Sequence, residues 1–270
     1  LRNDANDQPR IVSPNELALD GSYSLKLSNT FSMAVAGRYI RSNLKVATDN
    51  TDASAANTFA VDVAGFYQSE EKAYNHFNGI WRAGFNIQNL GPKISYDNDE
   101  FNTNFLPANL KIGTGFDFIF DEDNKLAVNL ELNKLLVPTP QNPDLNGDGT
   151  VTPEEYTQNY NNYRKTGWVS GLLKSFGDAP NGFSEELKEI TYALGSEYVY
   201  KDSFAVRAGY FHESPVKGAR QYFSLGAGFK YTTAKIDVSY LFSSSKIRNP
   251  LENTLRFSLT FNFGDNYGIN

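Results

Sequence analysis

Residues 254–263 read T-L-R-F-S-L-T-F-N-F, with apolar and polar residues in strict alternation. Because successive side chains of a β-strand point to opposite faces, this stretch predicts a strand with one apolar face and one polar face. Such a strand suits a soluble sandwich, where the apolar face is buried, and also a membrane barrel, where it faces lipid. The rest of the chain must distinguish between these two architectures.

The same two-residue period recurs along the whole chain and predicts about eleven strands. The ten further stretches are residues 17–27, 33–40, 59–67, 80–89, 110–120, 126–137, 191–200, 204–211, 222–231 and 234–242. Their lengths are close to the roughly 9–11 residues that a tilted membrane-spanning strand needs. The pattern predicts an all-β, antiparallel fold.

Composition excludes several classes of protein. The 270 residues carry a net charge of −6 without a basic tail, which argues against a nucleic-acid partner. There is no cysteine, so neither a disulfide framework nor a thiolate metal site can form. Mean hydropathy is −0.47, and the lack of a long apolar run excludes transmembrane helices.

The two faces of the predicted strands favour the membrane alternative. Large phenylalanines such as Phe116, Phe118, Phe223, Phe229 and Phe257 recur on the apolar face, and no helices are predicted that would cover them. A soluble sandwich could still expose the polar face to water. In a barrel, its charges would pair between neighbouring strands. They are Asp20, Lys26, Arg38, Asp62, Arg82, Lys111, Asp117, Glu131, Glu197, Arg207, Lys230, Lys235, Asp237 and Arg256.

Loop lengths point in the same direction. If the last strand ends at the periplasm, the connections at 28–30, 69–76, 121–124, 201–202 and 232–233 lie on the periplasmic side and are short. The connections at 42–57, 91–106, 137–190, 213–218 and 243–252 lie on the outer side and are mostly longer. Short periplasmic turns and longer outer loops are typical of outer-membrane barrels. Residues 137–190 are then a long extracellular insertion.

The strand count predicts that the wall is incomplete. Bacterial barrels close with an even number of strands, and eleven is odd. The polar residues 1–13 suit an outer loop. We therefore expect further strands upstream of Leu1.

Four further stretches are distinctive: MAVAGRYIRSNL at 33–44, LPANLKIG at 106–113, SFGDAPNGFSEELKEI at 175–190 and FAVRAGYF at 204–211. They resemble the PorV (LptO) family of outer-membrane proteins of the type IX secretion system of Bacteroidetes. The resemblance runs along essentially the whole chain and is most specific at 175–190. It implies a FadL-like barrel of fourteen strands with an N-terminal plug, so about three strands and the plug would be absent from residues 1–270.

The resemblance also implies a non-enzymatic function in protein transport. A PorV-like protein in the outer membrane, with its loops facing the cell exterior, would bind the translocon, SprA or Sov. It would receive cargo through the cargo's C-terminal signal domain and deliver it to the attachment complex that contains PorU.

The sequence pattern leaves two alternative functions, a solute channel and a lipid hydrolase. A FadL-type channel for hydrophobic solutes would need a lumenal path, whereas the predicted lumen is charged. A lipid hydrolase would need His76 or His212 as its general base. His76 lies in a predicted turn beside Glu70 and Glu71, and His212 precedes Glu213 and Ser214 on a strand end, where neighbours point to opposite faces. We therefore predict no enzymatic activity.

The long outer loop contains a calcium-loop motif, D-L-N-G-D-G-T-V-T-P-E-E at 144–155. Asp144, Asn146 and Asp148 fill positions one, three and five, Thr150 supplies a carbonyl at position seven, and Glu155 stands at position twelve. Gly149 at position six allows the tight turn. The preceding prolines cannot form an incoming helix, while Pro153 could open an outgoing one. The motif predicts a Ca²⁺ site, with a solvated Asp/Asn/Gly loop as the alternative.

The same loop contains apolar residues at near-helical spacing, with Ser184 as a predicted helix N-cap. These residues would either fold over the barrel mouth as a lid or form part of a partner-binding surface. They are Trp168, Leu172, Leu173, Phe176 and Phe183.

Overall fold

A computed structural model describes residues 14–44, 54–96, 103–245 and 253–262, and its fold is mostly β. Two-residue strands accompany eleven long ones, and three helices and a 3-10 turn lie in the long outer loop. The strands are β1 (Asn15–Lys26), β2 (Phe31–Asn43), β3 (Ala56–Gln68), β4 (Lys72–Ala73), β5 (Asn78–Leu90), β6 (Ile94–Ser95), β7 (Thr103–Asn104), β8 (Asn109–Ile119), β9 (Asn124–Leu135), β10 (Ile190–Tyr200), β11 (Phe204–His212), β12 (Gln221–Tyr231), β13 (Ala234–Ser243) and β14 (Leu255–Phe261). The helices are α1 (Pro153–Lys165), α2 (Trp168–Lys174) and α3 (Phe183–Glu186), followed by the 3-10 turn Leu187–Glu189.

One large antiparallel sheet of 12 strands contains every predicted strand. Its path runs β1-β2-β3-β5-β8-β9-β10-β11-β12-β13-β14, with β4 paired to β5. The eleven strands of this path confirm the eleven alternating stretches, with ends that differ by only a few residues. Phe263 lies outside the described residues. The two-residue strands were not predicted, because the periodicity of so short a segment carries no signal.

The sheet is not closed into a barrel within the described ranges. β1 and β14 are its two ends, and each has one strand neighbour. The prediction of an all-β antiparallel fold is therefore confirmed, whereas closure into a barrel is not observed among the described residues. An odd path of eleven consecutive antiparallel strands also ends with β1 and β14 running in the same direction, so these two edges cannot join in the antiparallel pattern of the rest.

Apolar side chains occupy the convex face of the sheet and are exposed there. Phe257 is 73% exposed and Phe261 is 53% exposed, so neither lies in a protein core. The same face carries exposed Leu19, Trp81 and Leu225 on other strands. Exposure of so many large apolar side chains confirms the predicted alternation. The described residues do not bury this broad apolar surface.

The polar face is concave. A cavity of about 780 Å³ is lined by residues from seven neighbouring strands, β3 to β12, including Arg82, Lys111 and Glu131. Glycines on this face leave room for side chains to cross. At Gly228, a Cβ atom would lie 2.5 Å from Oδ1 of Asp237, so only glycine lets Arg207 reach over β12 to that carboxylate.

Short connections lie at one end of the sheet and long ones at the other, as predicted. Lys201 and Asp202 both adopt left-handed φ angles, 52° and 49°, which suit the tight hairpin between β10 and β11. At the opposite end, residues 136–189 form the longest connection and contain all the helices of the described residues. None of these helices is long and apolar enough to cross a membrane.

Candidate interaction surface

The long connections fold together into what we call the outer cap, formed by residues 91–96, 103–108 and 136–189. The cap is anchored on the concave face through a small apolar cluster. Ile94 and Leu106 of the cap pack with Ala56 and Ala60 of β3, and all four side chains are buried. Small alanines on the strand make space for the larger cap residues, so the cap covers one end of the concave face.

Helix α1 is the longest helix of the outer cap, and its N-terminus is stabilised by a capping box. The Thr152 hydroxyl accepts the Glu155 N–H at 3.2 Å, while the Glu155 carboxylate accepts the Thr152 N–H at 3.0 Å, with Pro153 in the first turn. The helix packs on Phe105 through an edge-on contact with Tyr163, with the ring centroids 5.5 Å apart. Lys93 Nζ donates to the carbonyl of Arg164 at 2.7 Å.

The predicted apolar residues divide into buried and exposed members. Trp168 and Leu172 are half-buried, and the backbone of α2 approaches Phe105 and Pro138 closely at the buried Gly171. In contrast, Leu173, Phe176 and Phe183 are exposed. Two residues that sequence reasoning missed extend this exposed group. We call the group the outer apolar surface: Val169, Leu173, Phe176, Phe183 and Leu187.

The start of α3 differs from the prediction. The N-cap residue is Gly182, with φ of 74°, and Ser184 lies inside the helix. The prediction of Ser184 as N-cap was therefore wrong. Propensity favours serine at an N-cap, but the turn before α3 needs a left-handed residue, and glycine adopts that conformation without strain.

A group of ion pairs holds α3 and the 3-10 turn against the sheet. Lys134 Nζ lies 2.5 Å from Oε1 of Glu186 and 3.0 Å from Oε2 of Glu189. The lysine side chain is only 9% exposed. Lys217 Nζ lies 2.6 Å from Glu185 and 3.0 Å from Glu189. We call these five residues the charged clamp.

The clamp is electrostatically consistent with ionised carboxylates. Hydrogen bonding from Lys217 lowers the pKa of Glu185 below its ordinary value. Burial opposes ionisation of Glu189, but hydrogen bonds from Thr139, Lys217 and Lys134 outweigh it and lower the pKa of Glu189. Sequence reasoning missed the clamp, although one signal was present: Lys134 interrupts an otherwise apolar strand face.

The calcium-loop residues form a compact turn of their own. Asp144 accepts the N–H groups of Gly147 and Gly149 at 2.8 and 2.9 Å, and Asn146 Nδ2 donates to Asp148 at 3.1 Å. Gly149 has a φ of 83°, as the tight turn requires. Glu155 accepts the Asn146 N–H in addition to the Thr152 N–H, and these hydrogen bonds lower its pKa.

The residue types and their order fit a calcium loop. Each carboxylate has about four acceptor sites, so these N–H contacts leave capacity for a cation. However, no group of three or more His, Cys, Asp or Glu side chains within the described ranges is arranged as a metal site. The five-residue calcium site of three carboxylates, the Asn146 side chain and the Thr150 carbonyl therefore stays a prediction from sequence spacing.

The two histidines have separate surroundings. His76 is exposed in the turn before β5. His212 stacks on Tyr192 at 4.7 Å, and its Nδ1 lies 3.2 Å from the hydroxyl of Tyr210. The Glu213 carboxylate instead accepts two hydrogen bonds from Arg220, both 2.8 Å long. Glu213 therefore pairs with Arg220, and His212 contacts Tyr192 and Tyr210.

The concave face carries internally paired charges. Arg38 bridges Asp20 and Asp62 across three strands, with distances of 2.5 and 3.3 Å. Arg207 bridges Glu197 and Asp237 in the same manner, and Arg82 pairs with Asp117. These pairs confirm the expected meeting of opposite charges on neighbouring strands.

Comparison with known families gives a match over the first part of the chain. The family model described as type IX secretion system protein PorV matches residues 1–142, more than half of the chain. The chain belongs to the PorV family. No curated protein matches it. PorV membership makes the chain a component of the type IX secretion system and indicates an outer-membrane location.

Proposed function

We propose that this PorV-family protein binds the type IX translocon in the outer membrane, receives cargo through its C-terminal signal domain, and delivers the cargo to the PorU-type attachment complex. The family match carries the proposal. The exposed apolar residues of the cap support it, because large apolar side chains that the chain leaves uncovered are available to a partner.

A membrane location of the sheet is supported by two bands of aromatic residues on the convex face. On β10, Tyr192 and Tyr200 stand at opposite ends of the face, with Leu194 between them. Eight residues at roughly 3.3 Å each separate the two tyrosines by about 26 Å along the strand. Because strands of outer-membrane barrels are tilted by about 35–45°, this length spans roughly 20 Å of membrane thickness, most of an apolar band that is about 25 Å tall and flanked by aromatic girdles. We propose that the eleven long strands form a FadL-like wall in the membrane.

The proposed partner contact is the outer apolar surface. Its member Leu173 projects from α2, whose residue Gly171 packs closely against Phe105 and Pro138, and Phe176 projects from the turn that follows α2. Phe183 projects from α3, which the charged clamp holds in place. Exposed aromatic and aliphatic side chains on fixed helices lose little conformational entropy when a partner binds. We propose that the translocon and the cargo signal domain contact this side of the cap, which faces the cell exterior.

A FadL-type channel is less well supported. The concave face carries Arg38, Arg82 and Arg207 with their carboxylate partners, and passage of a hydrophobic solute would require contact with these ion pairs. Burying ion pairs against an apolar solute is costly. The charged face therefore favours a structural wall over a conduit for lipids.

We also propose that residues 144–155 bind Ca²⁺ from the cell exterior. Asp144, Asn146, Asp148, Thr150 and Glu155 would supply oxygen ligands, with an affinity of roughly 0.1–1 mM, as for extracellular modules. Bound Ca²⁺ would tie the loop to the first turn of α1, because Glu155 belongs to both.

Affinity purification from an outer-membrane extract tests the proposed partner surface. We expect the wild-type protein to co-purify with the translocon protein and with cargo. The double variant Leu173→Ser/Phe176→Ser should lose these partners, whereas Leu145→Ser, at an exposed leucine outside the surface, should retain them. Equal recovery of partners with both variants would contradict the assignment of the surface.

A further inference from the structure

Strand register places the charged clamp on the convex, apolar side of the sheet. Lys134 pairs with Ile190, and Leu132 pairs with Tyr192 one pleat further along the same face. Leu132 and Tyr192 are exposed. Lys134 therefore emerges from the apolar face near its outer end, and does not point into the concave cavity.

The clamp brings α3 to that apolar face. A lysine at the edge of an apolar face is unfavourable without partners, and Lys134 is covered by the carboxylates of Glu186 and Glu189. Lys217 of the 213–220 connection binds the segment from a second direction, through Glu185 and Glu189. Residues 183–189 consequently lie beside the outer end of the wall.

The clamp also determines which side chains of this segment remain exposed. All three of its carboxylates turn toward the two lysines, so they do not contribute to the free surface. Phe183 is 76% exposed and Leu187 is 51% exposed. Lys188, between Leu187 and Glu189, is exposed and forms no ion pair within the described residues. The free side of the segment is thus apolar with a positive charge.

An aromatic group lies on the same face near the segment. Tyr192 stacks on His212, and Tyr210 packs against Phe223 with ring centroids 4.7 Å apart. Aromatic residues with a polar tip favour the boundary between lipid chains and head groups. The apolar side of residues 183–189 therefore continues the wall surface at the level expected for this boundary.

We infer that Phe183 and Leu187 contact lipid of the outer leaflet in the protein without its partner, with Lys188 directed toward anionic head groups. The inference rests on the proposed membrane placement of the wall. Apolar side chains at this level enter the region between head groups and acyl chains, and nearby lysines strengthen binding to anionic lipids. A partner that docks on Phe183 would first have to displace this lipid.

Depth-dependent fluorescence quenching tests the inference. The chain contains no cysteine, so single-cysteine variants can be labelled at one site with an environment-sensitive fluorophore. The sites are Phe183→Cys, Leu187→Cys, Leu225→Cys in the wall and Leu145→Cys in the cap. Each labelled protein is reconstituted into phosphatidylcholine vesicles that contain lipid spin-labelled either near the head group or near the end of the acyl chain.

We expect the probes at positions 183 and 187 to be quenched mainly by the shallow spin label, and the probe at 225 mainly by the deep one. The probe at 145 should respond to neither. Phosphatidylglycerol should increase quenching at 187, and Lys188→Gln should abolish that increase.

Two contrary results would have different meanings. Unquenched probes at 183 and 187 with a quenched probe at 225 would overturn the lipid contact and leave the wall placement intact. An unquenched probe at 225 would contradict the lipid-facing wall itself, and the inference would fail with it.

Discussion

The sheet and the outer cap are built by different interactions. In the sheet, a two-residue period sorts side chains onto two faces, and ion pairs such as Arg207–Glu197 join neighbouring strands. In the cap, short helices are held by ion pairs between residues distant in sequence, such as Lys134 and Glu189. The fold of the wall is therefore specified by a local sequence pattern that every strand repeats, whereas the fold of the cap depends on a few long-range contacts. A single change should therefore loosen the cap without affecting the wall.

The largest expected loss of stability is at the charged clamp, where the cap is attached to the sheet. Lys134→Met leaves the buried Glu186 carboxylate without its cation, and breaking a buried pair typically costs about 3–5 kcal/mol. We expect local opening of residues 178–189, detected by limited proteolysis or hydrogen exchange, while the strands keep their protection.

Lys201→Met is the matched control for this change. Lys201 and Asp123 lie 3.9 Å apart with both side chains more than half exposed, so the pair contributes little to stability. Equal protection of residues 178–189 in both variants would show that the clamp does not hold the cap.

A second prediction separates the two faces of the wall. Leu225→Arg places a charge on the apolar face, where arginine near the bilayer midplane costs about 2–4 kcal/mol. Ala127→Arg places the same side chain on the concave face, opposite Asp117 and Glu197. Urea unfolding in lipid vesicles should show a large loss of stability for Leu225→Arg and a small one for Ala127→Arg. A larger loss of stability for Ala127→Arg than for Leu225→Arg would contradict the assignment of the apolar face to lipid.

Acid should loosen the cap before the wall. The pKa values of Glu185 and Glu189 are lowered, so their contribution to stability is complete above the ordinary value of 4.5 and is lost as pH falls below it. Asp178 acts in the opposite sense, because burial raises its pKa. Proteolysis of residues 178–189 with an acid-active protease should increase as pH falls below 4.5. Unchanged cleavage in this range would indicate that the clamp carboxylates are not linked to cap stability.

The smallest expected effect concerns the calcium loop. Glu155→Gln keeps the capping box of α1, because glutamine also serves at that position, but removes a carboxylate ligand. Asp148→Ala/Glu155→Ala removes two and leaves Asp144 as the only carboxylate of the set. Calorimetry should show saturable Ca²⁺ binding by the wild type, weaker binding by Glu155→Gln and none by the double variant. An absence of saturable heat for the wild type below roughly 10 mM would identify a solvated turn.

The sequence predicted the sheet well because each strand repeats the same signal. Alternation places Leu255, Phe257 and Phe261 on one face whichever neighbours they have, and all eleven long strands follow this rule. The odd count also anticipated that the described strands would not close. Closure itself depends on contacts that no single strand encodes.

The cap was predicted only in part. Pro153 correctly indicated a helix start, and the reciprocal Thr152–Glu155 cap explains why α1 continues to Lys165. The pairing could not be predicted, because Lys134 and Glu186 are 52 positions apart in the sequence and meet only when the chain between them folds back. Exposure of Leu187 follows from the same fold-back and was missed for the same reason.

Deletion of the gene in its native bacterium tests the central claim most directly. Type IX cargo would be measured at the cell surface and in the medium, together with uptake of a labelled long-chain fatty acid. We expect that cargo is no longer released or attached, that fatty-acid uptake is unchanged, and that both the intact gene and a His76→Ala/His212→Ala variant restore secretion. Normal surface cargo combined with a loss of fatty-acid uptake would contradict it and support a FadL-type channel.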